Sequence, residues 1–409
     1  MKRTFPTAIE QIVDAPPHVF LVMVLASVAI QGVANGSERD DSGVPGVVIN
    51  YSPAKTRIYL GCASIAVLPN GDYVASHSFF GPGSKKNRSA VFRSSDAGLN
   101  WKKLTDLHGQ WWSNLFVHKE GLYIMGTNRR WGSVVIRRSL DGGETWTAPD
   151  DAGSGLLLAD SSYHTAPMPM VVHKGRIWRS MEVGDCYPDF GVNVHPYRSF
   201  VMSAPVDADL LKADNWTTSN YLPYDLARVG KKSKSACVGW REGNIVVTPD
   251  SQLVNILRIG DIGLDRADVL RISADGKKIN CAPARQGFID FPGGNTKFTI
   301  RYDPLSKRYW SLVNKQKNPA ATRNILALTS SPDLTHWTVE SIILRHPDRN
   351  KTAFQYVDWL FEDKDIIAVS RTAFNGAHSF HDANYFTFHR IKHFRKRTLD
   401  DPPLNQTDR

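Results

Sequence analysis

The feature that most constrains the fold of this chain is an eight-residue pattern, S-x-D-x-G-x-x-W, that occurs twice. It spans residues 94–101 and again residues 139–146. In each copy the Ser and Asp side chains can satisfy backbone groups of a tight turn, Gly can take a positive φ, and Trp can pack beneath a sheet. The pattern marks a repeated turn between strands rather than a catalytic centre, so the chain is expected to consist of repeated β units.

The segments around these turns predict how many β units the chain contains. Weaker copies of the turn occur at residues 273–276 and 331–337, and short β-rich segments form six groups. Residues 47–50 can complete the last group and close a ring, which removes exposed sheet edges. The sequence predicts an all-β, six-bladed β-propeller. Seven blades are the alternative if residues 186–200 or 288–292 contain further strands, and a β-sandwich does not predict the repeated turn.

Charge and composition bear on the partner. The 409 residues carry a formal net charge of +10, and a basic surface attracts polyanions. No nucleic-acid motif is present, so we expect an acidic oligo- or polysaccharide as partner and no nucleic acid. The four cysteines lack metal-ligand spacing, and we predict a monomer with no cofactor and no metal site, leaving a structural cation open.

The two ends of the chain predict its processing. Lys2 and Arg3 precede an apolar run at 19–30, and small residues follow. The run is short for a membrane span, so residues 1–34 are expected to be an export signal, and the mature protein to be secreted or periplasmic without membrane insertion. An uncleaved anchor is the alternative. Residues 45–394 are expected to form one catalytic propeller, and residues 395–409 a disordered tail.

Polar residues near the expected starts of inner strands, where blades converge, carry a family resemblance. Glu242, Arg258, Arg323 and Tyr356 occur in an order and spacing that, with the two turns, resemble the sialidase superfamily over residues 61–390, where such turns are called Asp boxes. The resemblance implies Tyr356 as nucleophile, Glu242 as the base that activates it, and two arginines that bind a substrate carboxylate. Arginine suits a carboxylate because it binds as a fork, and a neutral tyrosine approaches an anomeric centre without like-charge repulsion.

Two elements of that family have no counterpart here. Gly61 stands where the family has its first arginine, and the segment 76–83 lacks the family's acidic residue. His77 and His164 are therefore further candidate catalytic residues, because an imidazole can act as acid or base. The remaining candidate substrate-binding residues are Arg179, Trp112, Arg371, His378, His381 and Asp382.

Three functions follow from these observations. The first is an exported, sialidase-like exo-glycosidase that hydrolyses a terminal acidic sugar from glycans or polysaccharide. The second is a lyase that cleaves uronate-containing glycans by β-elimination, with Tyr or His removing a proton and Arg neutralising the uronate. The third is a non-catalytic carbohydrate-binding propeller, which has no need for the combination of Glu, Arg and Tyr.

Overall fold

The structure of the protein, a computed structural model, describes residues 41–184, 197–224, 239–259, 265–281, 287–315 and 322–404. These residues form six antiparallel sheets in a ring, which confirms the predicted six-bladed propeller. The expected export signal at residues 1–34 lies outside the described residues. Within the described part, no helix combines the length and apolar character needed to cross a membrane.

The strands of each blade follow one another along the chain. Blade one contains Tyr59–Val67, Tyr73–Phe80, Arg88–Ser94 and Lys102–His108, and blade two contains Trp111–His118, Gly121–Thr127, Val134–Ser139 and Leu156–Leu158. Blade three contains Tyr163–His164, Val171–His173, Arg176–Val183, Arg198–Pro205, Thr217–Thr218 and Leu222–Pro223. Blade four contains Trp240–Val247, Leu253–Ile259, Arg266–Ile272, Ile279–Cys281 and Phe288–Asp290. Blade five contains Thr299–Asp303, Arg308–Asn314, Ile325–Ser331 and Thr338–Arg345, and short 3₁₀ helices occur at Ala54–Thr56, Ala213–Asn215 and Phe394–Lys396.

Blade six closes the ring with strands from both ends of the described chain. Ala353–Glu362, Asp365–Ala373 and Tyr385–Ile391 pair in order, and Val47–Tyr51 adds the outermost strand. The closing strand predicted at residues 47–50 is thus confirmed, and it removes an open edge. Residues 395–404, expected to begin a disordered tail, are ordered instead. The Arg395 Nε and Nη2 donate to the Asp303 carboxylate at 2.6 and 2.8 Å.

The repeated turns fold as their sequence predicts. The Ser94 hydroxyl donates to Asp96 at 2.8 Å and accepts the Gly98 N–H at 2.9 Å, while the Trp101 indole N–H donates to the Gly98 carbonyl at 3.0 Å. The second copy makes the same set of bonds. Gly98 has φ of 91°, and a Cβ there would lie 2.4 Å from the Phe388 ring. Only glycine therefore fits where this turn meets blade six.

The core lies between the blades. Six apolar clusters fill the six boundaries between neighbouring sheets, so each blade is held by burial on both faces. A cavity of about 1030 Å³ occupies the central channel and is lined by inner-strand residues that include 65–67, 115–117, 245–247 and 300–302. Glu242 and Tyr356 lie nearer the starts of inner strands, outside this cavity.

Candidate active site

Four inner strands share one irregularity near their starts. Cys62, Trp112, Glu242 and Tyr356 have φ of 44°, 47°, 56° and 52°, and strand pairing shifts register at each. Such bulges re-aim a side chain, and a positive φ in a residue other than glycine is strained, so it often accompanies function. The bulges in blades one, two, four and six therefore turn a thiol, an indole, a carboxylate and a phenol toward the mouth of the channel.

The carboxylate and the phenol form a hydrogen-bonded pair. The Tyr356 hydroxyl donates to Glu242 Oε1 at 2.7 Å, and Arg258 Nη1 donates to Glu242 Oε2 at 2.8 Å. Burial alone would raise the pKa of Glu242, but the charges of Arg258 and His164 overcome it and lower that pKa to about 2. Burial and the neighbouring carboxylate raise the pKa of Tyr356. At neutral pH the pair is therefore an ionised base beside a neutral phenol.

Two further arginines flank the phenol ring. The guanidinium carbons of Arg323 and Arg371 lie 5.7 and 5.0 Å from the Tyr356 ring centroid. Arg323 donates to the Gln355 side chain and Arg371 to the His381 carbonyl, but the Nε of each is buried and has no hydrogen-bond partner in the described part of the chain. Among the described residues neither has a carboxylate within ion-pair distance. Burial lowers the pKa of Arg323 to about 10 and also lowers that of Arg371, yet both stay charged at neutral pH.

Two other buried groups lie beside this cluster. The Lys297 ammonium donates to Thr299 Oγ1 and to the Val357 carbonyl, both at 2.6 Å, and burial lowers its pKa to about 8. Burial raises the pKa of the Cys62 thiol to about 12, so the thiol is neutral. The Phe80 ring packs against the Arg371 guanidinium at 4.3 Å, so blade one gives the site an uncharged wall.

A histidine and a second carboxylate adjoin the cluster in blade three. His164 Nδ1 and Glu182 Oε2 are 2.9 Å apart, and the other Glu182 oxygen accepts the Gly243 N–H at 3.3 Å. The Trp112 and Trp131 rings contact the imidazole at centroid distances of 4.4 and 5.3 Å. His164 and Trp112, both predicted site residues, therefore lie together beside Glu242.

A loop of blade six contributes to the rim of the site. His378 Nδ1 and His381 Nδ1 lie 2.7 and 2.9 Å from the two oxygens of Asp382. The same loop accepts hydrogen bonds through backbone carbonyls, that of His381 from Arg371 and that of Phe380 from Gln355. The three predicted residues of this loop thus surround the site from its exposed side.

Two predicted site residues lie elsewhere. His77 is packed in the core between blades six and one, where Asn50 and the Ser78 carbonyl engage its two ring nitrogens at 2.8 and 3.1 Å. Burial lowers its pKa to about 4. Arg179 is fully buried, and it bonds to Thr165 Oγ1 and the Ala166 carbonyl, so it holds a loop rather than a substrate. Their positions along the strands suggest a place in the site, but position alone does not reveal the direction of a side chain.

Sequence reasoning also missed residues of the site. The family resemblance points to Gly61, but Cys62 occupies the bulge that corresponds to those at Glu242 and Tyr356. No sequence pattern points to Lys297 or Gln355. One sequence signal does indicate which residue of each inner strand occupies the bulge. Each bulge residue is followed two positions later by a polar residue. These residues are Ser64, Asn114, Asn244 and Asp358, and three of them bond the next blade's inner strand.

Comparisons with known proteins agree with the fold. No family model matches the sequence, and no curated protein matches it. The structure is similar to an α-L-arabinanase from Penicillium chrysogenum complexed with arabinobiose, with a TM-score of 0.54 and 14% identity over 87% of this chain and 99% of that one. It is also similar to a GH93 α-L-arabinofuranosidase from Fusarium graminearum, with a TM-score of 0.53 and 11% identity over 84% of this chain and 97% of that one.

A third similar structure is that of a sialidase. The Hadza microbial sialidase Hz136 gives a TM-score of 0.54 and 12% identity over 82% of this chain and 66% of that one. At these identities the similarities establish the propeller fold. The chemistry of this chain therefore has to be argued from its own residues.

Proposed function

We propose that the protein is an exo-glycosidase that hydrolyses a terminal acidic sugar, with Tyr356 as nucleophile. The observation that carries this proposal is the 2.7 Å hydrogen bond from the Tyr356 hydroxyl to Glu242, a carboxylate that Arg258 keeps ionised. A nucleophile paired with a base that a third group orients is the arrangement that activates an otherwise weak nucleophile. We further propose that it acts outside the cell as a monomer, as the predicted export signal suggests.

The chemistry of the first step follows from this pair. The Tyr356 oxygen attacks the anomeric carbon while Glu242 accepts the phenol proton, and the bond to the leaving-group oxygen breaks. The positive charges of Arg323 and Arg371 stabilise negative charge as it develops on the phenol oxygen. The oxygen of water then attacks the anomeric carbon and displaces the Tyr356 oxygen, and Glu242 returns the proton to the phenol. The proton that water loses balances the proton that the leaving-group oxygen takes up.

The preference for an acidic sugar is supported by the same two arginines. Each has an orphaned, buried Nε, and neither has a carboxylate partner among the described residues. A buried charge without a partner is costly, and arginine binds a carboxylate through two parallel hydrogen bonds. A sugar carboxylate between these guanidiniums would satisfy both. The neutral phenol beside it avoids the repulsion that a carboxylate nucleophile would meet.

The similar structures include an arabinanase, an arabinofuranosidase and a sialidase. These neighbours support glycoside hydrolysis as the reaction of a protein with this fold. A uronate lyase is the second candidate, because an imidazole, a phenol and unpaired arginines also suit proton removal beside a carboxylate. The observation that favours the lyase as a second candidate is the His164–Glu182 pair, because a carboxylate orients this imidazole.

One assay separates these functions. Purified protein is incubated with sialosides, uronate polysaccharides and neutral arabino-oligosaccharides, and both reducing ends and the ultraviolet absorbance of unsaturated uronates are followed. We expect new reducing ends from an acidic substrate without absorbance. Absorbance together with reducing ends would establish elimination instead. Tyr356→Phe should lower kcat by at least about 10³-fold, and near-normal turnover would overturn the nucleophile assignment.

A further inference from the structure

His164 has one nitrogen held and one available. Its Nδ1 lies 2.9 Å from the buried Glu182 carboxylate, and its Nε2 has no hydrogen-bond partner among the described residues. A carboxylate on one nitrogen fixes the tautomer and orientation of an imidazole, and leaves the other nitrogen for proton transfer. His77, by contrast, has a partner on each nitrogen.

The surroundings of His164 direct it to the site. Its ring packs against Trp112, the blade-two bulge residue, and is bounded by Trp131 and Tyr197 at centroid distances of 5.3 and 5.1 Å. The imidazole is nevertheless not sealed, since 8% of its side chain stays accessible. Part of this side chain therefore stays accessible, beside an aromatic surface suited to a sugar ring.

The dyad is also tied to the catalytic pair through the backbone. Glu182 accepts the N–H of Gly243, the residue that follows Glu242 in the blade-four bulge. The imidazole is close enough to Glu242 to influence its carboxylate electrostatically. One buried carboxylate thus positions both the His164 ring and the strand that carries the base.

We propose that His164 is the acid/base catalyst of this glycosidase, with Glu182 as its positioning residue, in place of the acidic residue that blade one lacks. The inference rests on the proposed function. In the first step the protonated imidazole gives its Nε2 proton to the glycosidic oxygen as the bond from that oxygen to the anomeric carbon breaks. In the second step neutral His164 removes a proton from water, whose oxygen attacks the anomeric carbon and displaces the Tyr356 oxygen.

Asp382 is the competing candidate because it lies on the rim of the same mouth. Both of its oxygens are engaged by histidines, at 2.7 and 2.9 Å, and those histidines are exposed. Burial alone would raise the pKa of Asp382, but the hydrogen bonds from these histidines help to hold that pKa below its ordinary value, so this carboxyl is poorly suited to donate a proton. The Nε2 of His164 has no hydrogen-bond partner among the described residues, which is why the structure favours it.

The test is the dependence of rate on the leaving group. His164→Ala and His164→Asn are compared with the wild type on a natural glycoside and on an aryl glycoside whose phenolate leaves without protonation. The Asn variant keeps a donor for Glu182. We expect kcat/KM to fall by roughly 10²–10⁴-fold on the natural glycoside but by less than about 10-fold on the activated one.

Two further readouts complete the test. Azide, which needs no deprotonation, should restore turnover of the activated substrate by His164→Ala and yield the glycosyl azide. Glu182→Gln should shift the basic limb of the pH–rate profile, and that limb should be absent in His164→Asn. Asp382→Ala is the matched control, with equal losses on both substrates.

The outcomes distinguish a failure of the proposed role of His164 from a failure of the proposed glycosidase function. Equal losses on both substrates in the His164 variants, with leaving-group dependence in Asp382→Ala, would overturn the role of His164 and leave Tyr356 intact. Full activity of Tyr356→Phe on the same substrates would overturn the proposed function itself.

Discussion

The two sides of Tyr356 differ in how their charges are balanced. On one side Glu242 and Arg258, 2% and 8% exposed, neutralise each other at 2.8 Å. On the other side Arg323 and Arg371, 8% and 5% exposed, face the same ring without a carboxylate within ion-pair distance among the described residues. The side chains on the two sides are buried to nearly the same extent, so the two sides differ only in whether the arginines have a carboxylate partner. Folding pairs the charges of the first side, and the acidic substrate that we propose would pair those of the second.

This contrast separates the roles of the four arginines. A buried pair costs desolvation energy that its mutual attraction offsets, whereas an unpaired buried charge has no such offset. A protein retains an unfavourable arrangement where function depends on it. In the proposed mechanism Arg258 therefore serves the base, and Arg323 and Arg371 serve the substrate. Arg179 also has a buried Nε without a partner among the described residues, but both of its terminal nitrogens donate to the loop at residues 165–168, so it serves the fold.

The largest effect is expected from breaking the paired side. Arg258→Met leaves Glu242 buried and unpaired, and should lower the free energy of unfolding by about 3–5 kcal/mol. Chemical denaturation monitored by tryptophan fluorescence measures it. Arg271→Met, at an exposed position of the same blade, is the control and should change stability little. A loss for Arg258→Met no larger than that of the control would contradict the pairing.

The next prediction concerns pH. The pKa of Glu242 is about 2 in the folded state against an ordinary 4.5. A lowered carboxyl pKa stabilises the fold above pH 4.5, and this contribution is lost as the pH falls toward 2. The stability advantage of the wild type over Glu242→Gln, on the order of 3 kcal/mol, should shrink over that window. An advantage that does not change with pH would mean that the ion pair does not hold the carboxyl ionised.

A smaller effect is expected from removing one arginine of the unpaired side, and it concerns the KM for the substrate. Arg323→Met should raise KM for an acidic sugar by about 10–100-fold, the range of one charged hydrogen bond. It should change KM little for the same sugar with its carboxyl reduced to an alcohol. Steady-state kinetics on both sugars measure the difference. Equal changes on the two sugars would show that Arg323 does not read the carboxylate.

The smallest effect has the opposite sign. Arg371→Met removes an uncompensated buried charge and keeps an apolar side chain against Phe80, so it should raise the free energy of unfolding by about 1 kcal/mol while activity falls. Thermal and chemical unfolding without ligand would measure the gain. A clear loss of stability would show that Arg371 is balanced by partners within the fold.

The fold was predictable because its signals are local. The turns at residues 94–101 and 139–146 use side chains only a few residues apart, so their sequence encodes them fully. The closing strand Val47–Tyr51 was also predictable, since an open ring would expose an edge. The count of six blades rests on the six groups of short β-rich segments around these turns, which the six sheets confirm.

The site was only partly predictable because it depends on distant contacts. Tyr356 and Glu242 are 114 positions apart in sequence, and nothing local in either strand reveals that their side chains meet. A bulge determines which residue of an inner strand faces the site. In blade one this residue is Cys62, whereas the family resemblance points to its neighbour Gly61. His77 and His164 look alike in sequence, and only their partners distinguish a core histidine from a site histidine.

The central claim is that Tyr356 forms a covalent bond to the sugar. The direct test is to inactivate the protein with a fluorinated analogue of its acidic substrate that carries an activated leaving group, and to map the labelled peptide by mass spectrometry. We expect one adduct per chain, on the Tyr356 hydroxyl, and none in Tyr356→Phe. An adduct on another residue, or equal labelling of the Phe variant, would contradict it.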